Sequence, residues 1–117
     1  MNIAVLQSAN RPLYINFDQY TDGDTDFKKE LILLMIDNLN ELQNSLKEAT
    51  QKNSLEIFEK TCHKVKPTLS MLEDKDLTET IHIVRAQFSN PSGKDERFTA
   101  FTITCHQIIK SLERESN

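Results

Sequence analysis

The most informative segment of the chain reads Thr61-Cys62-His63-Lys64-Val65-Lys66-Pro67-Thr68-Leu69-Ser70-Met71-Leu72. Apolar residues recur in and just before it at alternating gaps of three and four, which predicts an amphipathic helix with one buried stripe. The stripe consists of Leu55, Phe58, Cys62, Val65, Leu69 and Leu72. At about 100° per residue, His63 points roughly 130° away from the middle of that stripe. We therefore expect the His63 ring on the exposed face of the helix.

An exposed imidazole can act as a nucleophile, because it is substantially neutral at neutral pH without special activation. Lys66 lies three residues after His63, so its ammonium group can reach over the same surface and stabilise charge on a phosphoryl group. Lys64 points elsewhere, but its flexible stem can bring a second positive charge near. Pro67 and Ser70 lie on the face of His63 and have little bulk. These residues leave room for another protein to approach the ring.

The segment 63–67 resembles the H-x-x-K-G signature of the histidine-containing phosphotransfer (HPt) domain of multistep two-component signalling. The resemblance extends from about residue 15 to residue 112. It implies that His63 is the phosphorylated residue and that Lys66 orients the phosphate. The sequence departs from the family pattern twice, because Pro67 replaces the glycine after the lysine and Glu73 replaces a second glycine ten residues after the histidine. The second departure bears on the geometry at the end of the helix.

The same resemblance implies a phosphorelay. A receiver-domain phosphoaspartate would donate its phosphoryl group to His63, which would pass it to another receiver aspartate. The partners implied are response-regulator receiver domains and a hybrid histidine kinase. Mg²⁺ would belong to the receiver, so this chain would need no cofactor. Without a glycine-rich phosphate loop, we expect a phosphoryl-transfer intermediate and not a kinase that turns over ATP. The alternatives are a non-phosphorylated helical adaptor that docks a receiver or kinase, and a free-standing structural bundle.

The composition agrees with a single small helical domain. The chain has 117 residues with only 2 Gly, 3 Pro and no Trp, which suits a helical bundle better than a sheet. A net charge of −4 argues against nucleic acid as the main partner. The longest apolar run, 31–36, is too short to span a bilayer, and no signal peptide is recognised. We therefore expect a cytoplasmic protein in which Cys62 and Cys105 are reduced core thiols.

The predicted fold is all-α, an antiparallel up-down four-helix bundle (17–117) preceded by a short N-terminal leader (1–16) that forms either a strand-like tail or a short helix. A helical turn is expected at 17–20. The four long helices are expected at about 25–49, from a cap at 53 or 54 to about 72, from 76, and after the breaker at 90–93. Their predicted inner residues are Phe27, Leu31, Leu34, Met35, Leu42 and Leu46, then the stripe above, then Leu77, Ile81, Val84 and Phe88, and finally Phe98, Phe101, Cys105, Ile108 and Leu112.

Predicted caps follow from the residues at the helix starts. Asp24 or Thr25 is expected to cap the helix at 25–49. A capping box formed by Asn53 and Glu56 is expected at the next helix, and the helix that begins at Asp76 would have Glu79 in its N3 position. Pro67 lacks the amide that would bond the His63 carbonyl. The resulting bend is either a tolerated kink or an opening beside the imidazole.

Other residues admit two interpretations. His82 could rival His63 as phosphoacceptor, but it has Arg85 and not a lysine three residues later, so a solvated surface histidine is expected. His106 falls off the buried stripe to which Cys105 belongs. The two Cys-His pairs, 62–63 and 105–106, diverge by about 100° on a helix and are not expected to chelate a metal. Glu59 could hydrogen-bond the His63 ring or be a solvated charge. Ile36 could help to seat the receiver, or the leader could cover it.

Overall fold

The computed structural model of the protein describes residues 11–89 and 94–116, with residues 94–97 described by their backbone alone. The described residues form helices and no strand. The helices are α1 (Phe17–Thr21), α2 (Thr25–Lys52), α3 (Leu55–Lys64), α4 (Lys66–Leu72), α5 (Lys75–Ser89) and α6 (Lys94–Ser116). The predicted all-α class is therefore confirmed. Of the leader, residues 1–10 lie outside the described residues, and 11–16 have no regular secondary structure.

The start of α2 forms as its sequence predicts. The Asp24 carboxylate accepts hydrogen bonds from the backbone amides of Asp26 and Phe27, at 3.0 Å each. These bonds satisfy two amides that have no partner within the helix. At its other end α2 runs three residues further than predicted and closes at Asn53, whose φ is 50°. Asparagine tolerates this left-handed conformation better than most residues.

The predicted capping box at α3 and the predicted start of α5 are wrong. Of the two residues expected to cap α3, Ser54 occupies the N-cap position without a side-chain capping bond, and Asn53 closes α2 instead, so the box of Asn53 and Glu56 does not form. The helix α5 begins at Lys75, one residue earlier than predicted, and its cap is Asp74. The Asp74 carboxylate accepts from the Leu77 amide at 3.0 Å. An aspartate before the first turn is a strong capping residue.

The helix predicted to run from about 55 to 72 is divided in two at Val65. The Val65 backbone has φ −95° and ψ 10°, outside the helical geometry of its neighbours. Its amide donates to the Thr61 carbonyl at 2.9 Å, and its carbonyl accepts from the Leu69 amide at 3.2 Å. Pro67 follows two residues later and supplies no amide. The predicted bend is thus present as a break between α3 and α4.

The core is built from one face of each long helix, and most of the predicted stripes are confirmed. Phe58, Val65, Leu72, Leu77 and Val84 are buried. So are the α6 residues Phe101, Cys105, Ile108 and Leu112. Rings of α3 and α6 meet edge to face, with the Phe58 and Phe101 centroids 5.7 Å apart, a favourable aromatic geometry. The predicted breaker at 90–93 lies outside the described residues.

The inner face of α2 differs from its prediction. Phe27 and Leu34, both predicted to be buried, are 47% and 52% exposed, whereas Ile32 is fully buried. A helix of 28 residues with apolar side chains at many positions allows more than one inner face, and the neighbours decide which is covered. Two residues of the leader also join the core, because Ile15 is buried and Leu13 packs against it.

Contacts between helices show how the helices run relative to one another. Later residues of α3 and α4 lie beside earlier residues of α2, since Lys64 bonds Glu41 and Thr68 bonds Asn38. These helices are therefore antiparallel to α2. Residues near the start of α2 and the end of α6 also meet, through an ion pair of 2.7 Å between Lys28 and Glu115. No helix within the described ranges has both the length and the apolar character needed to cross a membrane.

Candidate functional site

His63 lies on the exposed face of α3, as its position on the helix predicts. It is the second-last residue of α3 and therefore sits beside the break at Val65. Among the described residues, none forms a hydrogen bond or ion pair with its ring. Both ring nitrogens are thus available to an approaching group.

An ion pair borders His63 on the side of α2. The Lys64 ammonium lies 2.6 Å from the Glu41 carboxylate, and the Lys64 side chain is 68% exposed. The sequence leaves Lys64 free to turn toward the site, but the structure turns it toward α2. An exposed pair of this kind is weak in energy, yet it offsets the charge of Lys64 beside the histidine.

A second ion pair borders His63 on the side of α5. Arg85 donates through Nε to the Glu59 carboxylate at 2.6 Å. Its Nη1 lies 3.4 Å from His82 Nδ1. Glu59 precedes His63 by one helical turn, but it bonds Arg85 and not the His63 ring. Of the two interpretations of Glu59, neither a bond to the ring nor a free solvated charge is found.

Lys66, Pro67 and Ser70 are exposed on α4, which begins immediately after the break. Lys66 is its first residue. Its ammonium forms no ion pair with any residue in the described part of the chain. Within the described residues, Lys66 is therefore an exposed cation three positions after His63 with no carboxylate partner, whereas Lys64 is paired with Glu41.

One buried polar contact holds α4 against α2. Asn38 Nδ2 donates to Thr68 Oγ1 at 2.7 Å. Thr68 is 1% exposed, and Asn38 is half-buried. Sequence reasoning missed this pair. A signal was present, because Asn38 continues the spacing of the buried residues Leu31, Met35 and Leu42 and so interrupts an apolar face with an amide.

The Cys62 thiol precedes the exposed His63 but is itself buried. Burial raises the pKa of the Cys62 thiol to about 11, although the nearby charge of Arg85 acts to lower it. Burial also raises the pKa of the Cys105 thiol. Both thiols are unpaired and protonated at neutral pH, so neither is a ready nucleophile. Within the residues described, no three His, Cys, Asp or Glu side chains gather where they could hold a metal ion.

Exposed apolar side chains lie on the edge of α2 that faces α3 and α4. Phe27, Leu34 and Glu41 are spaced by seven residues and so share one helical stripe, which we call the 27–34–41 stripe. Glu41 bonds Lys64, next to His63. Leu34 lies two helical turns before Glu41 and Phe27 two turns before Leu34, and both side chains are about half exposed.

Ile36 lies on the other edge of α2. It is half-buried and packs against the core. Seven residues later on the same stripe is Gln43, which with Phe98 and His106 lines a groove of about 400 Å³ against α6. Ile36 thus lies on the edge of α2 that leads to this groove, half-buried and not exposed, and its predicted part in seating a receiver stays a prediction.

Glu73 closes α4 in the left-handed conformation, with φ 50° and ψ 35°. Its amide donates to the Leu69 carbonyl at 3.3 Å. Glycine is the usual residue at such a position because it has no Cβ to clash. The helix end that a glycine would favour is therefore formed here by a glutamate.

The chain matches no protein-family model, and no curated protein or solved structure is similar to it at a significant level.

Proposed function

We propose that this protein is a histidine phosphotransfer protein of the HPt type, with His63 as the residue that carries the phosphoryl group. The observation that carries the proposal is the exposed His63 ring, followed after a helix break by exposed Lys66, neither of which is bonded to another residue that the structure describes. The resemblance of residues 63–67 to the H-x-x-K-G signature supports the same assignment. The relay would operate in the cytoplasm.

The transfer step follows from the chemistry of imidazole. Neutral His63, with its proton on Nδ1, attacks the phosphorus of a receiver phosphoaspartate with the Nε2 lone pair. The N–P bond forms as the P–O bond to the aspartyl carboxylate breaks, and the carboxylate leaves with the bonding electrons. Mg²⁺ on the receiver would balance charge on the phosphoryl oxygens. The reverse sequence of bond changes passes the group to a second receiver.

Lys66 would stabilise the phosphoryl group in both directions. No carboxylate among the described residues holds its ammonium, so the ammonium can approach the phosphoryl oxygens directly. A cation directed at oxygens that carry the transferred charge lowers the barrier to phosphoryl transfer. Lys64 and Arg85 are each paired with a glutamate, so they contribute less net charge to the site.

For the fold, we propose the four-helix bundle that the HPt resemblance implies. Its members would be α2, the pair α3–α4, α5 and α6. Contacts that support this arrangement join α2 to α3 and α4, join α3 to α5 through Glu59 and Arg85, and join α2 to α6 through Lys28 and Glu115. In that bundle the break at Val65 lies within the second member.

The receiver would dock on the 27–34–41 stripe and on the small residues Pro67 and Ser70. Phe27 and Leu34 expose apolar surface on the stripe of α2 that continues to Glu41, the partner of Lys64. Exposed apolar side chains that share one helical stripe are typical of protein-binding surfaces. In this proposal Leu34 takes the seating role that the sequence suggests for Ile36.

The test is phosphoryl transfer from a purified phosphorylated receiver, or from phosphoramidate as a small-molecule donor. With phosphoramidate, its P–N bond breaks, ammonia leaves and the new N–P bond forms on His63. We expect a phosphate on the protein that is labile in acid and stable in base. Receiver binding without phosphoryl uptake would favour the adaptor, and neither binding nor uptake would favour a structural bundle.

A further inference from the structure

The hydrogen bond between Asn38 and Thr68 is the strongest feature near the site that the proposed function leaves without a role. The amide of Asn38 donates at 2.7 Å to a hydroxyl that is almost fully buried. A polar contact in such a protected position is stronger than one in water, and an unpaired hydroxyl there is costly. The bond therefore specifies how α4 lies against α2.

Because the helix is broken at Val65, the position of α4 needs contacts outside the backbone to fix it. In a continuous helix, backbone bonds fix the position of each residue relative to the one before it. Here α3 and α4 meet at Val65, and Pro67 supplies no amide to reinforce the junction. The direction of α4 relative to α3 then depends on how α4 packs against the rest of the protein.

Thr68 and Lys66 lie two positions apart in α4, so they are separated by about 200° around the helix axis. When Asn38 holds Thr68 inward, Lys66 is held outward on the exposed face that begins at His63. Rotation or tilt of the seven-residue helix α4 would change where Lys66 lies relative to the His63 ring. This polar contact on the inner side, together with the buried Leu72 of the same helix, thus constrains where Lys66 lies on the outer side.

We propose that Asn38 is a positioning residue for phosphoryl transfer, acting through Thr68 on the placement of Lys66 next to His63. This inference rests on the proposed function, because it assigns the bond a role only if His63 carries the phosphoryl group. Asn38 itself does not contact the reacting atoms.

The experiment measures the rate of phosphoryl uptake on His63 from phosphoramidate, by intact mass spectrometry, in single and combined variants. Asn38→Ala should slow uptake by about tenfold, since small displacements of a catalytic group have effects of this order or larger. Lys66→Ala should also slow uptake. If Asn38 acts through Lys66, the combined variant should be no slower than Lys66→Ala alone.

Two variants serve as controls. Thr68→Ser keeps the hydroxyl that accepts the bond, so it should retain the parent rate. Gln43→Ala removes another half-buried amide of α2, one whose bond goes to the Leu39 carbonyl within the same helix. It should also retain the parent rate, because Gln43 does not contact α4.

A paired replacement keeps the test decisive if Asn38→Ala does not fold. Asn38→Leu with Thr68→Val replaces both partners with apolar groups of similar shape, which leaves no unpaired polar group and preserves folding. This double replacement should still slow uptake in the parent background. In a Lys66→Ala background it should cause no further loss.

Uptake at the parent rate in the folded Asn38→Leu, Thr68→Val variant overturns the inference. So does a combined Asn38→Ala, Lys66→Ala variant whose rate falls by the product of the two single effects. Those outcomes leave the proposed function intact. If the parent protein takes up no phosphoryl group on His63, the proposed function fails and the role of Asn38 fails with it.

Discussion

The Asp74 carboxylate accepts two hydrogen bonds from the Arg11 guanidinium, from Nε at 2.8 Å and from Nη2 at 2.7 Å. The pair joins the leader to the loop between α4 and α5, across 63 positions of sequence. Arg11 also donates to Asp76 and Gln107, and its carbonyl accepts from Ser111. Asp74 is 5% exposed. The leader is thus fastened to α5 and α6 through one arginine.

This pair predicts a loss of stability in acid. Burial opposes ionisation of Asp74, but the hydrogen bonds from Arg11 and from the Leu77 amide and the charge of Arg11 outweigh it and lower the Asp74 pKa. The stabilisation is fully present above the unfolded-state value of about 3.9. It is lost as the pH falls from there through the folded-state pKa, because the unfolded chain binds the proton first. Urea unfolding measured over this range should show the loss.

Arg11→Ala is the matching variant. It leaves a buried carboxylate without its cation, so the free energy of unfolding at pH 7 should fall by about 3 kcal/mol. The acid-dependent part of the stability should shrink as well. Unchanged stability at pH 7 would mean that the pair contributes no net free energy and that the leader is held by Ile15 and its apolar contacts instead.

Replacement of His63 tests the phosphoacceptor directly. His63→Gln should retain the fold, because the side chain is exposed and makes no bond to a described residue, and it should abolish phosphoryl uptake. His82→Gln and His106→Gln should both retain uptake. Uptake at the parent rate in the His63 variant, measured with the same donor, would show that another residue carries the phosphoryl group.

Alanine variants of Lys66 and Lys64 together test the electrostatic role proposed for Lys66. Lys66→Ala should slow phosphoryl transfer or shorten the lifetime of phosphohistidine, with the free energy of unfolding changed by less than about 0.5 kcal/mol. Lys64→Ala should have the smaller effect on transfer, since Glu41 already offsets its charge. Equal effects of the two variants would remove the special role of Lys66, and a large loss of stability would show that Lys66 is mainly structural.

Glu73→Gly should stabilise the protein by about 1 kcal/mol, because glutamate at a positive φ bears a steric cost that glycine does not. Differential scanning calorimetry would show this as a higher melting temperature. The control is Glu79→Gly in the interior of α5, where φ is helical and the same change should destabilise by about 1 kcal/mol. A stability loss at position 73 would mean that the Glu73 side chain contributes more than its backbone costs.

The docking surface can be tested with two neighbouring leucines. Leu34→Asp should weaken receiver binding by more than about tenfold, which is about 1.4 kcal/mol, with little change in melting temperature because Leu34 is 52% exposed. Leu33→Asp, about 100° around the helix and 61% exposed, should leave binding unchanged. Isothermal titration with a receiver measures both. If only the Leu33 variant loses binding, the receiver docks on a different face of α2.

The amino-acid sequence determined which face of most helices is buried, because burial follows the period of a single helix. The spacing around His63 predicts its exposure, and the stripe ending at Leu112 predicts the inner face of α6. The all-α class follows from the same patterns. On α2 the apolar pattern does not single out one face. The packing of its neighbours buries Ile32 and leaves Leu34 exposed.

Only the tertiary structure decided which charged and polar groups meet. Lys64 pairs with Glu41, Glu59 with Arg85, and Thr68 with Asn38, across separations of 23, 26 and 30 residues. Helical period tells which way a side chain points, but it does not tell which helix lies opposite. The surroundings of His63 were therefore unreadable from the sequence, because a partner is chosen when separate helices pack together.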